Sequence, residues 1–249
     1  MGRNSKLQIS SAGLHILAMG FMVCDHVWAM LFPAAEWLTC VGRMAFPIFA
    51  FMIAEGYRHT RNLKRYLLRM LIGALLAEIP FDLMYSGGVF YPFHQNVLWT
   101  FLLSLLLIAL VEKCRSRFRP ALAALFSIGL AILGYVAGYV AMVDYYGVGI
   151  LTVLMFYFFK GRNWKSRICQ FICLYILHVR LLGGYYYEVQ VFGFGIEVVQ
   201  QGFALLALVP IWLYQGRQGI RNKVFQYLCY AFYPVHMLAL FAVREWMLK

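Results

Sequence analysis

Asp25 and His26 stand side by side in an otherwise apolar run from Ala12 to Phe32. A positioned imidazole can take and return a proton, with a neighbouring carboxylate to place it or balance its charge. The setting sharpens the point. An ionisable side chain at the centre of a membrane helix costs roughly 2.5–3.5 kcal/mol on insertion scales, so it marks function by default and needs partners.

The partners are dispersed in sequence but agree in depth. At 1.5 Å per helical residue, His26 sits roughly 9 Å below the outer boundary of its run, and Arg43 reaches about the same depth from the next one. Glu78, Asn96 and Thr100 also fall in outer halves of apolar runs, with Asp82 and Asp144 just above them, Glu197 opening a late run and His236 nearer the midplane. Charge facing lipid is costly, so these groups are expected to line one shared polar cavity.

The elements that carry them follow from composition. Across 249 residues, 63% are hydrophobic and only 13% charged. Soluble domains carry about 25% charge, so one domain of many membrane spans is expected over 1–249, an all-α polytopic helical bundle. Nine segments approach the roughly 20 residues needed to cross a bilayer: 11–32, 39–57, 64–84, 95–112, 120–142, 146–160, 167–182, 195–214 and 224–246. The sixth and seventh are short. Pro47, Pro80, Pro210 and Pro234 fall within or at the ends of spans, where neighbouring helices can satisfy the freed carbonyls. The first run lacks a cleavage site and is expected to stay as an anchor. The six cysteines lie mostly in apolar runs without metal-site spacing and read as buried thiols; no metal is expected.

The net charge of +12 has a topological explanation rather than a nucleic-acid one. Loops alternate between strongly basic and nearly free of Lys and Arg. Arg3 and Lys6, then Arg58, Arg61, Lys64, Arg65 and Arg69, then the groups 113–119, 160–167 and 217–223 place 18 of the 22 basic residues on one side. The positive-inside rule makes that side cytoplasmic, with the N-terminus inside and, after nine spans, Lys249 outside. The aromatic stretch Tyr185 to Phe194 then suits the outer interface. The loop from Arg58 to Arg69 is denser than orientation requires and could bind anionic headgroups or a phosphate-bearing ligand.

Blander readings stand beside each of these. Asp25–Arg43 could be a structural ion pair, His236 a helix-joining hydrogen-bond partner, and Glu55 a partner for Arg58 or Arg69. Phe46, Phe49 and Phe51 read as packing, Cys24 as a buried thiol, and His178 and Arg180 as interfacial residues. His15 and His26, eleven residues apart, return to within roughly 20° of one helix face, giving the first helix an inner and an outer imidazole.

Several runs carry a resemblance. Asp25-His26, the run Gly42 to Phe51, Glu55-Gly56-Tyr57, Thr60-Arg61, Tyr66 through Arg69, Ile79-Pro80-Phe81, Asp144-Tyr145 with Gly147 and Gly149, and Tyr233-Pro234 with His236 resemble the TraX family of F-pilin N-acetylation proteins. The likeness covers nearly the whole chain and is densest over 14–100. More distantly, Gly13 to His26 is similar to the first helix of polytopic acyltransferases acting on surface sugars, the heparan glucosaminide N-acetyltransferase type included. Those often carry an arginine eleven residues before the helix histidine, where this chain has His15.

The resemblance implies transfer of an acetyl group from acetyl-CoA to an amine or hydroxyl, on a peptide or glycan acceptor at the outer face of a bacterial inner membrane. His26 would be general base, Asp25 would place it or balance its charge, and Arg43, or Asn96 and Thr100, would stabilise the oxyanion. Glu78, Asp82, Asp144 and His236 would line the acceptor side. His15, Arg58, Arg61, Lys64, Arg65 and Arg69 would bind CoA from the cytoplasm. A transporter relaying protons through Asp25, His26 and Glu78, or a non-catalytic assembly scaffold, are the alternatives.

Overall fold

A computed structural model describes residues 8–191, 194–220 and 222–249. Arg3, Lys6, Arg221 and two residues of the aromatic stretch, Phe192 and Gly193, lie outside the described residues. In chain order the elements are α1 (Ser11–Met30), α2 (Glu36–Gly42), α3 (Ala45–His59), α4 (Leu63–Ser86), α5 (Val97–Arg117), α6 (Pro120–Val140), α7 (Tyr146–Phe158) and α8 (Trp164–Tyr175). A π-helical turn (Ile176–Leu182), a hairpin of β1 (Tyr186–Val191) and β2 (Phe194–Val199), a 3-10 helix (Gln200–Ala207), α9 (Leu208–Leu213) and α10 (Lys223–Met247) complete the chain.

Helix starts are written in the sequence. Ser10, Asn62, Asn96, Asn163 and Asn222 each cap a helix by accepting a backbone N–H from the first turn, and Pro120 opens α6. The break between α2 and α3 has a local cause: Pro47 has no N–H to donate to the carbonyl of Arg43, four residues earlier, so the helical ladder lapses there.

Among the described residues, the nine regular spans expected from the sequence reduce to five stretches long and apolar enough to cross a membrane: Ser11–Met30, Glu36–His59 (α2 with α3), Val97–Arg117, Pro120–Val140 and Val224–Met247. Helix α4 has the length but carries Arg69, Glu78 and Asp82 in its body. Helix α7 has 13 residues. Segment 167–182 divides between α8 and the π turn, which ends at Gly183 with φ of 70°.

Segment 195–214 is not one helix, and the fold is not purely helical. Its first residues, rich in Val and Ile, pair antiparallel with β1, Tyr186 opposite Val199 and Glu188 opposite Glu197. The chain then rises as a 3-10 helix, which gains about 2.0 Å per residue instead of 1.5, so Gln200–Leu213 extends about 25 Å despite its short count.

Helices α3 and α7 form the centre. Ile48, Ile150, Leu154 and Phe156 are fully buried there, against Leu105 and Ile108 of α5, Leu174 of α8 and Leu208 of α9. Helix α1 packs on α2, α3 and α10, and α10 on α4. Several close approaches depend on a missing side chain, and two of them bear on the helices around the site. Gly147 sits against the backbone carbonyl of Tyr135 and lets α6 meet α7. Gly42 sits directly on Asp25, so a Cβ there would overlap the aspartate's Cβ and come within 2.8 Å of its Cα and Oδ1.

Gly42→Ala should therefore destabilise by about 1–3 kcal/mol through overpacking. Gly20→Ala, on a face where a Cβ meets nothing within 4 Å, should stabilise by up to about 1 kcal/mol through helix propensity. Opposite shifts in melting temperature of the purified variants would check this; equal shifts would show that the close approach of α1 and α2 does not depend on Gly42.

Candidate active site

Adjacent helix residues point about 100° apart, and α1 uses that divergence. Asp25 faces α2, where its Oδ1 accepts from the Thr39 hydroxyl at 2.7 Å and its Oδ2 pairs with Nη2 of Arg43. Thr39, fully buried, in turn accepts from Gln200 Nε2 at 3.0 Å. The Asp25 and Arg43 side chains are only 19% and 15% exposed, so water does little to screen the pair. Arg43 Nε is buried and makes no hydrogen bond among the described residues.

His26 faces α10 instead. Its Nδ1 lies 2.7 Å from Nε2 of His236, whose own Nδ1 lies 2.7 Å from the carbonyl of Phe232. Thus Asp25, His26, Arg43 and His236, separated by as much as 211 positions, meet in one place, while Asp25 and His26 do not bond each other. The hydrogen bonds of Asp25 go to Thr39 and Arg43.

The rest of the expected layer is divided. Glu78 accepts from Asn96 Nδ2 and from Trp99 Nε1 at 2.7 Å; Asn96 also donates to the Ala74 carbonyl and caps α5. Asp82, 2% exposed, accepts the Tyr91 N–H at 3.0 Å. Glu78 Oε1 and Asp82 Oδ1 are buried without a hydrogen-bond partner among the described residues. Thr100 donates to the Asp144 carbonyl at 2.6 Å, and the Asp144 carboxylate accepts from the Tyr145 N–H at 3.0 Å and lies 3.5 Å from His94. Asn96 and Thr100 thus spend their donors on joining α4 to α5 and on the turn before α7. Glu197 lies exposed in β2.

A cavity of about 480 Å³ lies between α1, α3, α4 and α10. At the basic end it is lined by His15, Glu55, His59, Thr60 and Arg69; at its other end by Met22, Leu98, Phe232 and Tyr233. From Ser11 to Met22 it follows α1 for about 17 Å. Met22 precedes His26 by four residues and Phe232 precedes His236 by four, so the cavity ends one helical turn short of the histidine pair on the same two faces.

Of the basic residues expected at a donor site, His15 and Arg69 line this cavity. Arg58 does not: it binds Glu55 at 2.9 Å and the carbonyls of Phe156 and Tyr157 at 3.0 and 2.9 Å, closing the C-terminal end of α7. Arg61, Lys64 and Arg65 are exposed on the adjoining loop and first turn of α4, outside the lining.

Sequence reasoning passed over several neighbours. His178 is not interfacial; it is fully buried, between Thr152 at 3.3 Å and Gln201 at 3.2 Å. Tyr145, with a left-handed φ of 59°, stacks on Phe46 at 3.9 Å. Thr39 was detectable, one turn before Arg43 on the same face; Gln200-Gln201, a polar pair at the edge of an apolar run, was a signal as well. Among the described residues no group of three or more His, Cys, Asp or Glu is arranged to hold a metal ion.

The profile of the TraX protein matches residues 10–244, which include every residue of this site. The chain belongs to the TraX family. This TraX-family chain is also 27% identical over 258 residues, 98% of each chain, to the "Probable fimbrial assembly protein FimC, serogroup H1" of Dichelobacter nodosus. No solved structure matches it.

Asp25→Ala should cost about 3 kcal/mol by leaving Arg43 buried and unpaired, and adding Arg43→Met should recover most of that loss. Thermal unfolding of the single and double variants measures the coupling. Simple additivity of the two substitutions would show that the pair does not hold α1 to α2.

Proposed function

We infer that this chain is a membrane-embedded acetyltransferase, taking the acetyl group of cytoplasmic acetyl-CoA to an amine or hydroxyl at the outer face of the bacterial inner membrane. The observation that carries this reading is the cavity that runs from the basic end to one turn below His26 and His236. Its mouth holds Arg69, His15 and His59, with Glu55 paired to Arg58 and His59 and the exposed cations Arg61, Lys64 and Arg65 on the adjoining surface, and its walls are apolar, which suits a ligand with an anionic head and a long thin arm. The family's likeness to F-pilin N-acetylation proteins and the fimbrial name of the relative favour a peptide N-terminus as acceptor, with a surface sugar as the other candidate.

On this reading the basic loops are cytoplasmic. If α4, α7, the α8–π segment and Gln200–Leu213 also cross beside the five long spans, the crossings number nine and the C-terminus would lie outside. CoA would bring its phosphates to Arg69, with His15 and His59 beside them and Arg61, Lys64 and Arg65 on the adjoining surface, and thread its pantetheine arm along α1. His26 takes a proton from the acceptor as its nitrogen or oxygen attacks the thioester carbonyl; the C–S bond breaks and the thiolate recovers the proton. Arg43 is the cation beside this point, and its Nε, without a partner among the described residues, is the donor that can meet the developing oxyanion. Glu78, Asp82 and Asp144 bound the acceptor side.

The purified chain should release free CoA thiol from acetyl-CoA in the presence of an amine acceptor, which a proton-coupled transporter would not do. His26→Ala should lower that rate by about 10²–10⁴-fold while the protein stays folded and monodisperse. Arg69→Glu should weaken acetyl-CoA binding about tenfold by titration calorimetry. Full turnover by the His26 variant would overturn the mechanism, and unchanged binding by the Arg69 variant would move the donor elsewhere.

A further inference from the structure

We propose that His236 is a positioning residue that decides which nitrogen of His26 acts as the base; the inference rests on the acetyltransferase reading and deepens it. The logic is one of hydrogen-bond polarity. The Phe232 carbonyl can only accept, so His236 Nδ1, 2.7 Å away, carries the proton. In a neutral ring the opposite nitrogen, Nε2, then holds a lone pair. His26 Nδ1 lies 2.7 Å from that lone pair and must donate to it. His26 is left with its own lone pair on Nε2, which makes no hydrogen bond among the described residues.

The ring geometry agrees. The two imidazoles are within 5° of parallel with centroids 4.9 Å apart. That separation matches a 2.7 Å nitrogen–nitrogen bond plus the two ring radii, so the rings lie edge to edge nearly in one plane, where their lone pairs and N–H bonds point. Phe232 stacks on His236 with centroids 4.9 Å apart and 12° between planes, holding its ring angle. Helix α10 therefore supplies both the carbonyl that sets the tautomer and the aromatic face that sets the plane.

An orienting carboxylate is the commoner partner for such a base, and Asp25 is adjacent in sequence. It is committed elsewhere, to Thr39 and Arg43. A neutral imidazole in the orienting position has a chemical consequence. When the N–C bond to the acetyl group forms, the acceptor proton passes to His26 Nε2, and the cation is supported by the Nδ1–H to His236 rather than by an ion pair. With the C–S bond broken, the same proton goes from Nε2 to the thiolate sulfur, giving CoA thiol and returning His26 to its starting tautomer.

The test uses the full-length protein in detergent, labelled with ¹⁵N-histidine, as wild type, His236→Gln and His236→Leu. Glutamine keeps an acceptor oxygen near the position of Nε2; leucine removes it. The expected result is a bare Nε2 and protonated Nδ1 on His26 in wild type and in the Gln variant, whose kcat stays within about tenfold. The Leu variant should show mixed tautomers and lose about a hundredfold or more in kcat with little change in KM for acetyl-CoA. A protonated Nε2 on His26 in wild type, or wild-type kcat in the Leu variant, would overturn the proposal. Should the Leu variant not fold, the tautomer in wild type and the Gln variant decides. The expected tautomer together with full turnover by His26→Ala would instead overturn the acetyltransferase mechanism and leave the hydrogen-bond chain standing.

Discussion

The ion pair between Asp25 and Arg43 sets the geometry that everything else inherits. Both side chains are largely withdrawn from water in apolar surroundings, so neither can be moved without stranding the other charge. Gly42 lets α2 come close enough for the pair to form, and Thr39 fills the second carboxylate oxygen while Gln200 fills Thr39. Both Asp25 carboxylate oxygens and the Thr39 hydroxyl are thereby engaged, while Arg43 Nε is left without a partner among the described residues. The result fixes more than a distance. Helix α1 is a stiff rod, and pinning one face of it to α2 fixes its rotation.

That rotation is what turns His26 toward α10. A residue 100° round from Asp25 has no choice of partner once Asp25 is bound, and α10 meets it with His236. The same rotation lays Leu14, His15, Met19 and Met22 along the cavity wall. Helix α10 forms the facing wall. It touches α1 and α4, and Pro234 within it leaves the Tyr230 carbonyl without its helical donor. The cavity lies along the seam where α1 faces α10.

Much of this was legible before any coordinates, and the division follows the physics. Asp25, His26, Arg43 and His236 stood out because polar groups in apolar helices are costly and few, and depth alone brought His26 and Arg43 level, with His236 set nearer the midplane. The helix caps and Pro120 were readable for similar local reasons. What depth cannot supply is azimuth. Asn96 and Thr100 sit at the right level yet turn toward Ala74 and the Asp144 carbonyl, and Arg58 turns inward to α7 although its loop is basic throughout. His178 was misplaced because counting residues put it at a span end, whereas the π turn carries it into the bundle. The strand at Phe194–Val199 was hidden for a different reason: a short apolar run rich in Val and Ile reads alike as buried helix or strand.

The departures from regular helix gather around the ion pair, and there is a reason for them to do so. Non-helical backbone at membrane depth is tolerated only where it is buried in protein or lines a cavity. The 3-10 helix delivers Gln200 to Thr39 and Gln201 to His178; the π turn delivers His178; the left-handed Tyr145 lays its ring on Phe46, three residues after Arg43. A straight α-helix over Gln200–Leu213 would be about 4 Å shorter and rotate each successive side chain by 100° instead of 120°, so the two adjacent glutamines could not hold the same partners. The strain in these segments is balanced by the buried polar groups they satisfy. Regular spans were given up where a polar side chain had to reach a buried partner, Thr39 for Gln200 and His178 for Gln201.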